Sequence, residues 1–255
     1  SNDILYDTLS LSNVSSGNVT LDFWVKLDKV GVQQNFMYLD DDASTSARLV
    51  PYVQSNNYFS LFVANTGGSA NVLESGLKME KDVWYHFACI MDGSDLTIYW
   101  CAPDSSGKNT STNNPSFSIT STQYFTIGAD GRPGAAGLWA DASYDNVRIW
   151  TKALTADEVY TYRFDIANTT AANLGAVYTF DYGVASSSNS TSSGIVYDRL
   201  GKNHLKIYNL ALSGSSSNFV EQDSLVPCPI HWYGSADRIA TRLLTDVEMT
   251  SEQIA

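Results

Sequence analysis

Residues 124–159, YFTIGADGRPGAAGLWADASYDNVRIWTKALTADEV, constrain the fold more than any other stretch of the chain. An apolar strand runs into Gly128. An acidic, glycine-rich loop follows, carrying Asp130, Gly131, Gly134, Gly137 and Asp141. A second strand of alternating character covers residues 146–150. Thr155 is then placed to cap a short helix that opens with Asp157 and Glu158. Only the last of these four pieces is helical.

The upstream sequence repeats the β character. Residues 18–27, NVTLDFWVKL, alternate apolar and polar side chains, as a strand with one buried face does. Residues 84–91 (WYHFACIM), the polar turn 92–95 (DGSD) and residues 96–100 (LTIYW) read as a β-hairpin. The Asp-Gly pair supplies the positive φ that such a turn favours. The alternation predicts buried sheet faces at Phe23 or Trp24, Phe87, Ile98 and Ile149. It also puts Trp24, Trp84, Trp100 and Trp150 on strands as core or sheet-surface residues.

In this order, the Phe-Trp-Val strand, the Trp-x-His hairpin, the glycine-rich loop and the capped helical turn resemble laminin-G-like domains of the concanavalin A-like lectin superfamily, with pentraxin-like features. The resemblance covers roughly residues 9–166. It implies an all-β fold, a two-sheet antiparallel jelly-roll sandwich, and an extracellular or cell-surface recognition module rather than a catalyst. The domain organisation expected is a jelly roll over residues 1–166 and a C-terminal segment over 167–255, packed on the first part as an ordered appendage or partial second repeat.

Composition narrows the function classes. The chain has 255 residues, 44% of them apolar and 12% aromatic, so it can bury a large core. Its formal charge is −12 and no cluster of Lys and Arg stands out, which argues against nucleic acid, whose phosphates need basic side chains. Cations or neutral glycans suit this surface better. No run of about 18 apolar residues is present to span a membrane. The chain opens at Ser1 with neither Met nor a signal-peptide pattern, as a processed or excised product would.

The three cysteines are Cys89, Cys101 and Cys228. A hairpin turning at residues 92–95 sets Cys89 opposite Ile98 and Cys101 opposite His86, with the sulfurs on opposite sheet faces. A Cys89–Cys101 disulfide is therefore disfavoured, and a Cys101–Cys228 pairing stays open. Cys89 matches a pentraxin half-cystine, but no Cys stands near Phe23 and Trp24 to complete that bridge. Five N-x-S/T triplets, at Asn13, Asn18, Asn109, Asn168 and Asn189, occur in a chain rich enough in these residues to produce them by chance. Asn109, in an apparent loop SSGKNTSTNN, is the best acceptor among them.

After Arg163 the pattern changes. Residues 174–181 (LGAVYTFD), a Ser-rich loop at 185–193 and IVYDRLGKNHLKIYNL follow. Residues 242–254 (RLLTDVEMTSEQI) loosely resemble 148–159. Two readings stay open: a truncated second repeat, or strands that complete the first sandwich.

No alternating carboxylate pattern of the glucanase type occurs. The nearest stretch, EKDVW at 80–84, precedes a strand and holds a single Asp. No Gly-x-Ser-x-Gly elbow is present, and His86, His204 and His231 show no metal-ligand spacing. A glycan-active enzyme is thus the least favoured class, behind a binding module and a structural module of a larger extracellular assembly. Calcium is the candidate ion. Asp40, Asp41 and Asp42 crowd after the FMYL strand, and loop-borne oxygen ligands are what Ca²⁺ requires. Carried over from pentraxin-like domains, the resemblance implies Asp41, Asp42, Asp130 and, further along, Asp141 as ligands, although Arg132 stands where another ligand would be expected. A solvated acidic turn is the competing reading. For glycan or protein contact, Trp139 with Asp141 is the first candidate, and Asn56, Asn57 and Tyr58 offer a second loop. The competing reading of Trp139, and the one its position favours by a little, is a core residue that anchors its long loop.

Overall fold

The structure, a computed structural model, describes residues 3–11, 17–41, 44–115, 122–131, 137–163, 170–181, 188–189, 194–213 and 218–219. In chain order the strands are β1 (Ile4–Ser10), β2 (Asn18–Leu27), β3 (Gln34–Asn35), β4 (Met37–Asp41) and β5 (Ser44–Val53). Then come β6 (Tyr58–Ala64), β7 (Ala70–Lys78), β8 (Trp84–Asp92), β9 (Asp95–Ala102) and β10 (Ser105–Ser111). After β11 (Thr122–Ile127) and β12 (Ala142–Trp150) stands the helix α1 (Ala156–Tyr162), and β13 (Leu174–Tyr178), β14 (Ile195–Val196) and β15 (Leu205–Tyr208) close the series.

Two antiparallel sheets form a jelly-roll sandwich. The larger runs β14-β15-β1-β11-β4-β5-β6-β7, with β3 also pairing with β5, and the smaller runs β10-β9-β8-β2-β12-β13. Residues beyond 166 therefore add β13 to one sheet and β14 and β15 to the other. The 242–254 resemblance lies outside the described residues.

Between the sheets the apolar faces meet around a phenylalanine group. Phe59 of β6 stacks on Phe87 of β8 with ring centroids 3.6 Å apart and planes at 11°. Phe23 lies 5.9 Å from Phe87, and Phe36 6.0 Å from Phe59. Phe87, Ile98 and Ile149 are buried, as the alternation predicts, and so are both Phe23 and Trp24, of which it required one, with Trp84 and Trp150. Trp100 is half-buried against the core.

The hairpin forms with the expected register, Cys89 opposite Ile98 and His86 opposite Cys101, and Gly93 in its turn has φ +62°. Cys89 joins the inter-sheet core whereas Cys101 packs on the outer face of the smaller sheet. Cys89 is free and Cys101 is disulfide-bonded. Cys228 lies outside the described residues.

Three local expectations need correction. β2 is buried on both faces, not one, because α1 and its flanks cover its polar side. Thr20 Oγ1 donates to the Lys152 carbonyl at 2.9 Å, and Trp24 Nε1 donates to the Arg163 carbonyl at 3.2 Å. The residues around Asn109 form the edge strand β10, not a loop. There Gly107 permits close approach, since a Cβ would sit 2.3 Å from the Trp100 ring. Asp40 and Asp41 lie in β4 rather than in a turn after it, and Asp40 is fully buried.

α1 begins as the sequence predicts. Thr155 accepts from the Glu158 amide, and the Glu158 carboxylate accepts from the Thr155 amide, a reciprocal capping box. Lys152 Nζ pairs with Glu158 at 2.6 Å and secures that turn.

The aromatic stack gives a direct test. Phe87→Ala should cost about 3–5 kcal/mol in urea unfolding, since it removes the ring that bridges the sheets. An unchanged unfolding midpoint would contradict this packing.

Candidate functional site

The loops after β2, β5 and β11 converge on one rim of the sandwich. Chain direction dictates this, because Leu27 at the end of β2 pairs with Ala142 at the start of β12. A buried glutamine organises the rim. Gln34 Nε2 donates to the Lys29 carbonyl at 2.7 Å, and its Oε1 accepts from the Asp141 amide at 2.6 Å. Backbone bonds from Asp28 N to Asp141 O and from Asn35 N to Leu138 O, both 2.8 Å, complete the join. The glycine-rich loop is closed by paired bonds between Asp130 and Gly137.

The result is a shallow cleft of about 200 Å³, lined by Lys29, Val32, Gln34, Trp139, Ala140 and Asp141. Trp139 is half-buried in its wall, neither sealed in the core nor fully exposed. Asp141 is exposed. Asp28 lies close enough to Asp141 that burial and that like charge raise its pKa, against the opposing pull of Lys26. An indole, two aliphatic side chains, an ammonium and a carboxylate thus share one small opening.

The second predicted loop is tied to the first. Asn57 has φ +71°, and its Oδ1 accepts from the Gly31 amide at 2.7 Å. It therefore serves the scaffold of the rim. Asn56 is exposed and accepts from the Tyr58 amide at 3.1 Å, while Tyr58 is half-buried. None of the three lines the cleft. The sequence reading missed Gln34. Its signal was weak, one of three consecutive amides at 33–35, and only its burial reveals its role.

Of the proposed calcium ligands, Asp41 and Asp130 sit at opposite ends of β11 along the backbone. Asp41 pairs with Gln123 at the start of β11, whereas Asp130 follows the other end of that strand, where Ile127 pairs with Met37. Four residues of strand at about 3.3 Å each separate those pairings by about 13 Å. The Asp41 side chain and all of Asp42 lie outside the described residues. Among the described residues no three His, Cys, Asp or Glu side chains are grouped to hold an ion. Burial raises the Asp130 pKa, with Arg48 opposing it.

A catalytic-looking constellation does occur, which sequence spacing could not show. Asp22 Oδ1 lies 2.6 Å from His86 Nε2, and Asp22 Oδ2 lies 3.0 Å from Arg148. Arg148 also donates to the Tyr162 carbonyl. Asp22 and His86 are both 0% exposed beneath α1, so no substrate reaches them. Burial opposes ionisation of Asp22, yet Arg148 and His86 outweigh it and lower its pKa. Burial likewise lowers the His86 pKa, although Asp22 pulls the other way. The consistent state is a neutral His86 donating from Nε2 to an Asp22 carboxylate neutralised by Arg148.

A family model of the concanavalin A-like lectin/glucanases superfamily, its laminin-G-like branch, matches residues 5–160, more than half of the chain. The chain belongs to this superfamily. No curated protein matches the sequence itself. Among solved structures, the superfamily member is similar to a candidate carbohydrate-binding protein of Bacteroides ovatus, with 14% identity and a TM-score of 0.57. That match covers 81% of this chain and 56% of the other, so the chain spans little more than half of that protein. It is also similar to the enzymatically active domain of tailspike protein 2 from bacteriophage CBA120, with 16% identity, a TM-score of 0.51, and coverage of 70% of this chain and 29% of the other. At such identities the likeness is one of fold alone.

The buried trio predicts a pH dependence. Both pKa values are lowered in the folded state, so the unfolded chain binds more protons and stability rises with pH, being lost as pH falls. The His86 contribution is complete above 6.5 and declines below it, while that of Asp22 declines below 3.8. Urea unfolding followed by tryptophan fluorescence should show both declines, and His86→Gln should remove the first. A flat profile from pH 7 to 5 in the parent protein would refute the assignment.

Proposed function

We propose that this superfamily member is a recognition module that binds glycan through the rim cleft, without turnover. The observation that carries this reading is Trp139, held half-buried beside Asp141 in an opening that the buried Gln34 keeps in shape. A sugar ring presents an apolar face and a circumference of hydroxyls, so it needs one aromatic surface and a few fixed polar partners. The cleft supplies both. Its volume of about 200 Å³ is below the ~300–1,000 Å³ of common small-molecule pockets, which suits one ring or a chain terminus.

Exposed Val32 and Leu138 flank the opening and add apolar contact. The Bacteroides ovatus protein, a candidate carbohydrate binder of the same fold, supports this reading by analogy. So does the typically extracellular setting of laminin-G-like domains, which makes the cell surface or extracellular space the proposed location. Melting in calcium against chelator measures directly whether Asp41, Asp42 and Asp130 hold that ion.

A glycan array with wild-type protein and Trp139→Ala tests the cleft. The variant should lose most capture, on the order of tenfold for a central aromatic contact, while melting within a few degrees of the parent. If Trp139→Ala unfolds the protein, Trp139 is a core anchor and the site loses its centre. Gln34→Ala should weaken capture as well, because it frees both loops at once.

A further inference from the structure

Contrary to the expectation that no basic cluster stands out, the described residues include a basic patch, which the overall charge of −12 conceals. The β14–β15 hairpin carries Arg199, Lys202, His204 and Lys206 within eight positions, out of only 15 Lys and Arg in the whole chain. The one acidic residue of its turn, Asp198, is directed inward. It is 2% exposed, and its carboxylate accepts from the amides of Val177, Leu200, Lys202 and Asn203 at 2.8–3.2 Å. Four backbone amide bonds fix the turn and hold that carboxylate inward. Arg199 and Lys202 are left exposed, with no ion-pair partner among the described residues.

An aromatic row continues from the patch across the outer face of the larger sheet. Leu205 faces the core with Ile207 packed beside it, so Lys206 and Tyr208 face outward. Tyr197 is 48% exposed, and its ring sits 5.3 Å from that of His204. His204 Nδ1 accepts from the Asp198 amide, which leaves Nε2 to carry the imidazole proton toward a ligand. Tyr6 on the next strand lies 6.5 Å from Tyr208 and 6.3 Å from Tyr124, which backs it. Lys206 Nζ stands 6.0 Å over Tyr6 and 3.2 Å from Asp7, the acidic group that faces this row.

We propose that this edge of the larger sheet is a second glycan-contact surface, built for a polysaccharide that carries carboxylate groups. Exposed Tyr197 and half-buried Tyr208 offer aromatic surface to sugar rings, and Arg199 and Lys202 at the end of the row pair with carboxylates, the guanidinium in bidentate fashion. One carboxylate per sugar suits the patch better than dense sulfation, since a strongly charged chain is repelled by the rest of a −12 protein. This surface is distinct from the Trp139 cleft and stands whether or not that cleft binds glycan.

Equilibrium binding to immobilised polygalacturonate, dextran sulfate and unmodified dextran tests the proposal. Wild-type protein should bind polygalacturonate, weaken as salt rises, and ignore dextran. Arg199→Ala with Lys202→Ala should weaken binding about tenfold, and Tyr197→Ala several-fold. Exchanging the two cations, Arg199→Lys with Lys202→Arg, should retain binding, which a merely structural loss would not allow. A charge-matched control, Lys78→Ala with Lys108→Ala, should bind as the parent does. No capture of polygalacturonate, equal capture by the double alanine variant, or tighter capture of dextran sulfate would each overturn the assignment.

Discussion

Everything in this molecule rests on the contact between Phe59 and Phe87, the stacked pair that joins the two sheets at 3.6 Å. No strand pairing joins the two sheets, and only edge bonds such as Asn109 Nδ2 to the Glu74 carbonyl at 2.7 Å cross between them, so their inner faces supply most of the contact, and buried aromatic area is the largest contribution such faces have. Phe23 and Phe36 surround the pair and extend it across β2 and the start of β4. Once the inner faces are committed in this way, the outer faces are free to differ, and they do. The smaller sheet is covered in part by α1, over the buried Asp22, His86 and Arg148. The larger sheet carries a partly exposed row of tyrosines along one edge.

The parts legible in the sequence are those with a local period or a local rule. Alternation in NVTLDFWVKL and in the 84–100 hairpin gave the right inner faces, and the cysteine register followed from the turn at Gly93. Thr155 and Glu158 stand three residues apart, and that spacing is the cap. What stayed hidden depends on partners far away in the chain. Asp22, His86 and Arg148 are 64 and 126 positions apart in sequence, yet adjacent on neighbouring strands. The polar strand β10 read as a loop because its faces are solvated and its fit to Trp100 depends on Gly107 having no side chain. The C-terminal segment was ambiguous for the same reason: a four-residue strand such as β15 has too short a period to announce which sheet it joins.

The candidate site divides along similar lines. Trp139 and Asp141 were chosen as an aromatic and an acid in a glycine-rich loop, and the structure does bring both to one cleft. Asn57 was chosen as a ligand-facing amide, but its side chain is engaged in holding Gly31, and its positive φ makes it a turn residue first. The group that shapes the cleft is Gln34, whose amide satisfies a donor on one loop and an acceptor on another. A buried amide with both ends paired fixes geometry at little cost, since no polar atom is left stranded.

Proximity of Asp22 to His86 illustrates why chemistry must be argued from access as well as from distance. At 2.6 Å the pair has the spacing of a general-base dyad. A working base, however, must change its protonation during each cycle and must touch a substrate proton. Both side chains are fully buried, with Arg148 neutralising the carboxylate and α1 closing the sheet above them. Removing any one member would leave an uncompensated charge or a stranded polar group in the interior, which is expensive in a low-dielectric setting. The trio therefore ties β2, β8 and β12 to the residues flanking the helix, and its polarity serves register and orientation.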